Sequence, residues 1–172
     1  MTTTRLRPPE NRVSPRAVHM WTLSGVIGAV VGIAVLSGIA WMLVYARWSW
    51  VPEWVLERAW WIPVLYGCYA VARAVIAPRW RYRVHRWEVT ADVVYTRVGW
   101  ISREWQLVPV SRIQTVDHTQ GWMERLFGLA TLEIQTASHA GSSSIAGLGA
   151  QVAQQISEDL AMRAGELRDD AT

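Results

Sequence analysis

The stretch from residue 17 to residue 46, AVHMWTLSGVIGAVVGIAVLSGIAWMLVYA, decides how this chain folds. Its thirty residues include no Asp, Glu, Lys or Arg. At a helical rise of about 1.5 Å per residue, this run is longer than the hydrocarbon core of a bilayer, which is about 30 Å thick. A cleaved signal peptide has an apolar region of only about 7 to 15 residues. The sequence therefore predicts a transmembrane helix over about residues 19–46.

A second apolar stretch, AWWIPVLYGCYAVARAVIA at residues 59–77, is interrupted only by Arg73. Arg73 lies about one turn from the end of the stretch, where its guanidinium can reach the headgroups. Trp60 and Trp61 at the opposite edge are typical interface anchors. A buried or interfacial helix is the alternative, but these flanks favour a second span over about residues 58–77.

The connection between the two spans is short and contains a helix breaker. It reads RWSWVPEW at residues 47–54, and Pro52 forbids one continuous helix through it. Seven of the twelve Trp residues lie in the two apolar stretches and this connection taken together, mostly where the chain crosses a headgroup region. The sequence thus predicts an antiparallel transmembrane hairpin over residues 18–78, preceded by a flexible basic tail over residues 1–17.

The basic residues indicate how this hairpin is oriented. The chain has no Lys, and four Arg residues flank each outer end of the hairpin: Arg5, Arg7, Arg12 and Arg16 before it, Arg79, Arg81, Arg83 and Arg86 after it. The positive-inside rule then places both termini in the cytoplasm of a multi-pass inner-membrane protein.

Charge beyond the hairpin argues against a nucleic-acid partner. Residues 87–172 hold six Arg and eleven acidic residues, a net charge of 6 − 11 = −5. The overall excess of +3 therefore comes from the membrane-flanking arginines rather than from the part that folds in water. Because such a domain repels a polyphosphate backbone, we expect no nucleic-acid binding.

After residue 86 the pattern changes from helix to strand. The pattern predicts a meander of antiparallel strands over WEVTADVVYTRVGWISREWQLVPV, broken at Thr90–Asp92 and at Gly99. Three further strands are predicted at RIQTVDHTQ, TLEIQTAS and SSSIAGL. A turn at residues 139–141 joins the last two. WMERLFG at residues 122–128 is too short for a full helix, and its Gly suits a left-handed cap.

The last element is an amphipathic helix over about residues 150–164. Val152, Ile156, Leu160 and Ala164 recur at steps of four and predict one buried stripe. The strands and this helix form a small α+β module over residues 79–165, followed by an acidic tail over residues 166–172.

This order of elements resembles the bacterial pleckstrin-homology-like domain found behind two membrane spans in small YdbS-like proteins. The resemblance covers about 80 residues and rests on Pro109, Arg112-Ile113-Gln114, Val116, Arg125, Gly128-Leu129, Thr131-Leu132 and Thr136. It implies a curved β-sandwich or partly open barrel of roughly seven strands with the helix at one end. It implies no reaction, because a fold does not determine a function.

The residues after the second span are candidates for headgroup contact. Arg79, Arg81 and Arg83 alternate with aromatic and aliphatic residues, so an extended segment would present them, with Arg86 nearby, to anionic lipids. A topology signal with nonspecific headgroup contact is favoured over a selective lipid site. The turn at residues 90–92 contains no basic residue, unlike the phosphoinositide pockets of eukaryotic domains of this fold.

Small residues in the first span are candidates for helix packing. Ser24, Gly28 and Gly32 recur at steps of four and allow close helix approach. Gly67, Ala70 and Ala74 can supply the complementary surface within the same hairpin, but the stripe can equally form a homodimer.

Catalytic chemistry has little basis in the sequence. The four His residues are isolated, no pair has metal-ligand spacing, and Cys68 is the only cysteine and lies in the second span. No GxSxG, GxGxxG or P-loop motif occurs. Arg125 is interpreted as a local tether of the 122–128 turn to the sheet rather than as a clamp for a partner's carboxylate. We therefore expect no enzyme activity, no metal and no cofactor.

Together these observations predict a transmembrane hairpin followed by a cytoplasmic pleckstrin-homology-like domain. We expect it to act as a noncatalytic scaffold or protein-interaction module whose partners are the lipid bilayer and another membrane protein or a second copy. The alternative is a lipid-sensing or lipid-handling accessory protein that contacts anionic headgroups.

Overall fold

The computed structural model describes residues 9–46, 51–99, 103–136 and 142–169. The chain divides into two compact units, one formed by Trp21–Pro78 and the other by Met1–Met20 together with Arg79–Thr172. The second unit is therefore discontinuous in sequence, since the segment before the first long helix belongs to it.

The helical unit is built from three helices, α1 (Arg16–Ala46), α2 (Glu53–Arg58) and α3 (Trp61–Val84). The helices α1 and α3 account for the two predicted spans. The stretches long and apolar enough to cross a membrane are α1 itself and Glu53–Val84, which contains α2 and α3. The predicted break at Pro52 is confirmed, because this residue precedes the first turn of α2 in an extended conformation. Residues 47–50 of the predicted connection lie outside the described part of the chain.

The helix α3 is longer than the second predicted span. It continues through Pro78 and includes Arg79, Arg81 and Arg83, which were expected to form an extended segment. Arg is a good helix former, and a proline inside a membrane-spanning helix is tolerated when neighbouring groups satisfy the freed carbonyl. The change from helix to strand therefore comes after Val84 rather than after Ala77.

The first sheet of the other unit contains four antiparallel strands in the order β1-β2-β3-β4. These are β1 (Asn11–Arg12), β2 (Arg86–Val89), β3 (Val93–Gly99) and β4 (Arg103–Pro109). The predicted breaks after β2 and after β3 are both confirmed. Gly99 has a φ of 126°, which strongly favours glycine at the end of β3.

The strand β1 corrects the prediction of a flexible tail over residues 1–17. Asn11 pairs with Trp87 and Arg12 with Arg86, and the Trp87 indole donates a hydrogen bond of 3.2 Å to the Arg12 carbonyl. Val13 is buried, and the Ser14 amide donates to the Gly147 carbonyl at 2.8 Å. Residues 9–15 are therefore part of the folded unit, while residues 1–8 lie outside the described part of the chain.

The second sheet has three antiparallel strands, β5 (Ile113–Thr119), β6 (Leu129–Thr136) and β7 (Ser143–Gly149), in that order. A turn of 3-10 helix at Val110–Arg112 separates β4 from β5. Ile113 is buried, and Gln114 is exposed at an irregularity in the register. The predicted turn at residues 139–141 lies outside the described residues.

A short helix, α4 (Trp122–Phe127), joins β5 to β6 and ends as predicted in a left-handed glycine, Gly128, with a φ of 65°. The predicted tether by Arg125 is wrong, because that side chain is exposed. Glu124 has this role instead: its carboxylate accepts hydrogen bonds from the Gly121 amide at 2.9 Å and from the Thr131 hydroxyl at 2.6 Å.

The C-terminal helix α5 (Ala150–Asp169) packs against β5, β6, β7 and the 3-10 turn. The predicted buried stripe is wrong at the first turn of the helix, where Val152 is exposed and the next residue, Ala153, is buried. Leu160 is fully buried as predicted. The helix continues to Asp169, so the tail predicted from residue 166 is partly helical.

The core of this unit lies between the two sheets and α5. Its buried residues come from every layer: Val94, Val108, Val110, Ile113, Ala130, Leu132, Ile134, Ile145, Leu148, Ala153 and Leu160. One buried polar contact also joins the sheets, where the hydroxyls of Thr96 and Ser143 lie 3.1 Å apart. This two-sheet sandwich with a terminal helix is the predicted pleckstrin-homology-like architecture, and β1 is the strand that the sequence patterns did not indicate.

Candidate functional site

The arginines after the second span do not form one cationic face. On a helix, residues two apart point in very different directions, whereas residues four apart share a face. Arg79 and Arg83 are therefore neighbours on α3, and both are exposed. Arg81 is half-buried on another side of the helix. The predicted alternation of an extended segment is thus wrong, and headgroup contact stays a prediction for Arg79 and Arg83.

Arg86 belongs to the joint between the N-terminal segment and the sheet. Its Nη1 donates to the Glu10 carbonyl at 3.4 Å, and the Glu10 amide in turn donates to the Glu88 carboxylate at 3.2 Å. Nearby, the Arg12 guanidinium lies 5.9 Å from the centre of the Tyr82 ring, within the range of a cation–π contact. These contacts attach strand β1 to the sheet, so part of the basic cluster has a structural role.

His85 connects the end of α3 to β2 and is held in its neutral form. Burial, and next the positive charge of Arg81, lower the pKa of His85 to about 4, although a hydrogen bond to the Arg81 carbonyl acts in the opposite direction. The ring Nδ1 lies 3.0 Å from that carbonyl and donates to it, and Nε2 accepts from the Arg81 Nε at 3.4 Å. A neutral imidazole satisfies both contacts, whereas an imidazolium has no acceptor to offer Arg81.

The turn at residues 90–92 contains no basic residue of its own, but α5 brings one to it. Arg163 donates to the Thr90 carbonyl at 3.3 Å and forms an ion pair of 2.7 Å with Asp159. Sequence reasoning missed this approach, because the two positions are 73 residues apart. Since Asp159 balances the charge of Arg163, the turn still lacks the surplus of positive charge that an inositol phosphate needs.

An open groove of about 700 Å³ lies where the ends of the two sheets meet. Its lining is mostly neutral and polar, with Glu133 as the one charged residue among those described: Val98, Gln106, Gln114, Glu133, Ile134, Gln135, Thr136, Ser142, Ser143 and Ser144. A groove with this lining offers hydrogen bonds but no attraction for anions.

The structure brings together one pair of residues that recurs in nucleophilic catalysis. The Ser157 hydroxyl lies 3.3 Å from His118 Nδ1, but it also donates to the Gln154 carbonyl at 2.8 Å. A hydroxyl has one proton to donate, so His118 must be the donor in its contact with Ser157. His118 is therefore not placed as a base for this serine. Within the described residues, no cluster of three His, Cys, Asp or Glu residues can hold a metal ion.

The predicted small-residue stripe is only partly at the contact between the spans. A Cβ on Gly32 would overlap the Tyr66 ring, so this glycine is needed for close approach within the hairpin. Gly28 has open space around it, and Ser24 is exposed. The inner face of α1 is formed instead by Gly25, which approaches Ala74, and by the buried Ala29. Ala70 and Ala74 are buried and Gly67 contacts Ile33, as predicted for the second span.

Two long apolar helices and a two-sheet domain closed by one helix define a membrane protein with a pleckstrin-homology-like domain. Comparison with known proteins agrees with this class. The family model described as "Bacterial PH domain" matches residues 20–164, and the chain belongs to that family.

One relative covers nearly the whole chain. The chain is 28% identical over 165 residues to the UPF0699 transmembrane protein YdbS of Bacillus subtilis (strain 168), a match that covers 94% of this chain and 97% of the relative. No solved structure matches. The predicted resemblance to YdbS-like proteins is confirmed.

Proposed function

We propose that this protein is a noncatalytic scaffold at the cytoplasmic face of the inner membrane, where its pleckstrin-homology-like domain binds a protein partner. The observation that carries the proposal is the exposed outer strand of the first sheet. In the order β1-β2-β3-β4, strand β4 pairs with β3 on one side and has no second strand beside it among the described residues.

The side chains of β4 favour a protein partner. Trp105 and Leu107 lie two positions apart, so they share one face of the strand, and each is roughly half exposed. Native proteins usually protect an edge strand with charge, proline or a bulge. An edge with exposed apolar residues is suited to strand addition, in which a partner's backbone pairs with the edge and its side chains meet the exposed face.

The proposed location rests on the joint between the two ends of the hairpin. Because β1 pairs with β2, the segment before α1 and the domain after α3 form one folded unit, and this supports a position for both on one side of the membrane. Arginines flank both outer ends of the hairpin, which supports the cytoplasm as that side. Reporters fused before Arg5 and after Thr172 should both report cytoplasm, and a periplasmic signal at the C-terminus would contradict the assignment.

Lipid handling is the second candidate, and a specific observation favours it. Arg79 and Arg83 are exposed on one face of α3 just beyond the predicted span, where each can contribute about 1 kcal/mol toward an anionic surface. The two candidates predict different results. A selective lipid function requires a salt-resistant preference for one headgroup, whereas nonspecific contact requires an equal response to lipids of equal charge.

Crosslinking from the edge strand tests the scaffold. A photo-crosslinking residue at position 105 or 107 of the full-length protein should capture one defined membrane-associated protein, and Trp105→Glu should abolish its co-purification. Met162→Glu is the control, since it places the same charge at another exposed apolar site, on α5. If both variants retain the partner, β4 is not the binding edge; if neither wild type nor control captures a protein, the scaffold function is wrong.

A further inference from the structure

The short helix α4 presents an apolar face that the core does not use. Trp122 is 73% exposed and Leu126 is 69% exposed, the highest values among the described large apolar residues of the pleckstrin-homology-like domain. Arg125, which is also exposed, lies three residues after Trp122, so all three share one face. The opposite face holds the half-buried Met123 and Phe127.

This face is presented rigidly. Glu124 receives hydrogen bonds at the start of the helix and from β6, and the left-handed Gly128 ends it. The Gln120 side-chain Nε2 also donates to the Leu129 carbonyl at 2.6 Å, which joins the two ends of the connection. Because the Glu124 carboxylate is engaged in these contacts, Arg125 supplies the charge of the outer face, and that face is cationic as well as apolar.

Arg16 places α4 close to the first turn of α1. A Cβ added to Gly128, at the end of α4, would lie 3.4 Å from the Arg16 guanidinium, and Arg16 is the first residue of α1. With six residues at a rise of about 1.5 Å each, α4 is about 9 Å long. Trp122 and Leu126 are therefore within about 13 Å of the Arg16 guanidinium, which extends from the first turn of α1.

The aromatic residues of α1 indicate where that start lies relative to the bilayer. Trp21 and Trp41 are twenty residues apart, about 30 Å along a helix, which equals the thickness of the hydrocarbon core. Trp41 also stacks on Tyr45, with ring centres 5.1 Å apart, as in the aromatic belts of membrane proteins. With Trp21 taken as the edge of the hydrocarbon, Arg16, five residues before it, falls about 7 Å outside, at the depth of the headgroup layer.

We propose that the outer face of α4, formed by Trp122, Arg125 and Leu126, inserts into the headgroup layer of the bilayer that α1 crosses. The interface accommodates an indole better than water does, a leucine reaches the acyl boundary, and an arginine pairs with lipid phosphate. The pleckstrin-homology-like domain is then held at the membrane at a third point, besides the ends of the two spans. This surface is independent of strand β4 and of the scaffold function.

Depth measurement by spin labelling tests this assignment in the full-length protein. Cys68 is the only cysteine, so Cys68→Ser provides a background into which Trp122→Cys, Leu126→Cys or Met162→Cys is introduced. Met162 is the matched control because it is 63% exposed in the same domain but lies twelve residues, about 18 Å, along α5 from Ala150, whose amide binds the Gly128 carbonyl. Each variant is labelled with a nitroxide in vesicles of mixed neutral and anionic lipid.

The quantity measured is the ratio of two collision rates of the nitroxide, that with lipid-soluble oxygen to that with a water-soluble nickel complex. This ratio should be several times higher at positions 122 and 126 than at position 162. Water exposure at all three positions would overturn the proposal. Protection from both reagents at 122 and 126 would also overturn it, because a protein surface rather than lipid would then cover the face. Since all three side chains are exposed, their substitution should leave the circular dichroism spectrum unchanged.

Discussion

Truncation of Leu160 to alanine should destabilise the pleckstrin-homology-like domain more than truncation to alanine at any other position of α5. Leu160 is fully buried and belongs to the core that α5 shares with both sheets. Leu→Ala at such sites lowers the free energy of unfolding by about 2–5 kcal/mol. The loss is the sum of the transfer free energy of the removed atoms and the cost of the cavity that they leave. The free energy of unfolding of small domains is about 5–15 kcal/mol, so this loss is a large fraction of it.

Amide hydrogen exchange on the full-length protein in detergent micelles measures this loss. The intact chain is required because β1, which precedes the first span, completes the first sheet. A loss of about 2–5 kcal/mol corresponds to exchange about 30 to 5,000 times faster for amides that open only with the domain, such as those at the centre of β6. Exchange within the apolar centre of α1 should stay unchanged.

Met162→Ala is the control, since it removes a side chain of similar size from an exposed position on the same helix. Surface substitutions usually change stability by less than about 0.5 kcal/mol, so exchange in β6 should respond by a factor of about two or less. Equal acceleration by Leu160→Ala and Met162→Ala would refute the assigned buried face of α5.

Three further changes test separate contacts. Val13→Asp places a charge at a buried position beside β1 and should lower the free energy of unfolding by at least about 2 kcal/mol. The N-terminal segment should then be cleaved faster by a protease. Asn11→Asp, at an exposed position, should leave the cleavage rate unchanged. Glu124→Ala should cost about 1–2 kcal/mol by removing the acceptor for two hydrogen bonds, and speed exchange of the α4 amides; no response would show that the cap is dispensable. His85 has a folded pKa of about 4, below its ordinary 6.5, so the unfolded chain takes up the proton first on acidification. The stability that neutral His85 contributes is therefore complete above pH 6.5 and is lost as the pH falls toward 4. His85→Gln should reduce the difference between the unfolding midpoints at pH 7 and pH 5. An unchanged difference would contradict the role of His85.

Strong local signals explain which parts of the fold the sequence predicts. The charge-free run of residues 17–46 exceeds the thickness of a bilayer, and the helix α1 occupies it. The breaks at residues 90–92 and at Gly99 interrupt the strand period, and both end a strand. Gly128 follows a short apolar segment and has the left-handed conformation expected of it. In each case the information lies in one continuous stretch of the chain.

Tertiary pairing decided the parts that the sequence did not predict. Strand β1 has only two residues, too few to show a period, and its partner is about 75 positions away. The position of Arg163 beside the turn at residues 90–92 depends in the same way on how α5 packs. At the start of α5, a step of four suggested Val152 as the buried residue, but a helix repeats every 3.6 residues and Ala153 takes that place.

The candidate surfaces were predictable only in part. The basic cluster after the second span was evident from composition, but its geometry depended on whether Arg79–Arg83 formed a helix or an extended segment, and Pro78 made a helix less expected. The exposed residues Trp105, Trp122 and Leu126 have no distinguishing sequence signal. Apolar residues in a strand or a short helix are usually buried, and only packing shows which of them are not.

The pairing of β1 with β2 imposes an order on biosynthesis. The N-terminal segment leaves the ribosome first, but its partner strand emerges only after both long helices have been made. At about 5–20 residues per second, the delay between residues 11 and 87 is about 4–15 seconds, and Gly147, which accepts the Ser14 amide, comes later still. A chain in which only one of the two helices has been inserted leaves these partners on opposite sides of the membrane, so its sheet stays incomplete. Closure of the sheet therefore requires that the two helices leave both partners on the same side of the membrane, and a chain with only one helix inserted keeps an unpaired β2 edge.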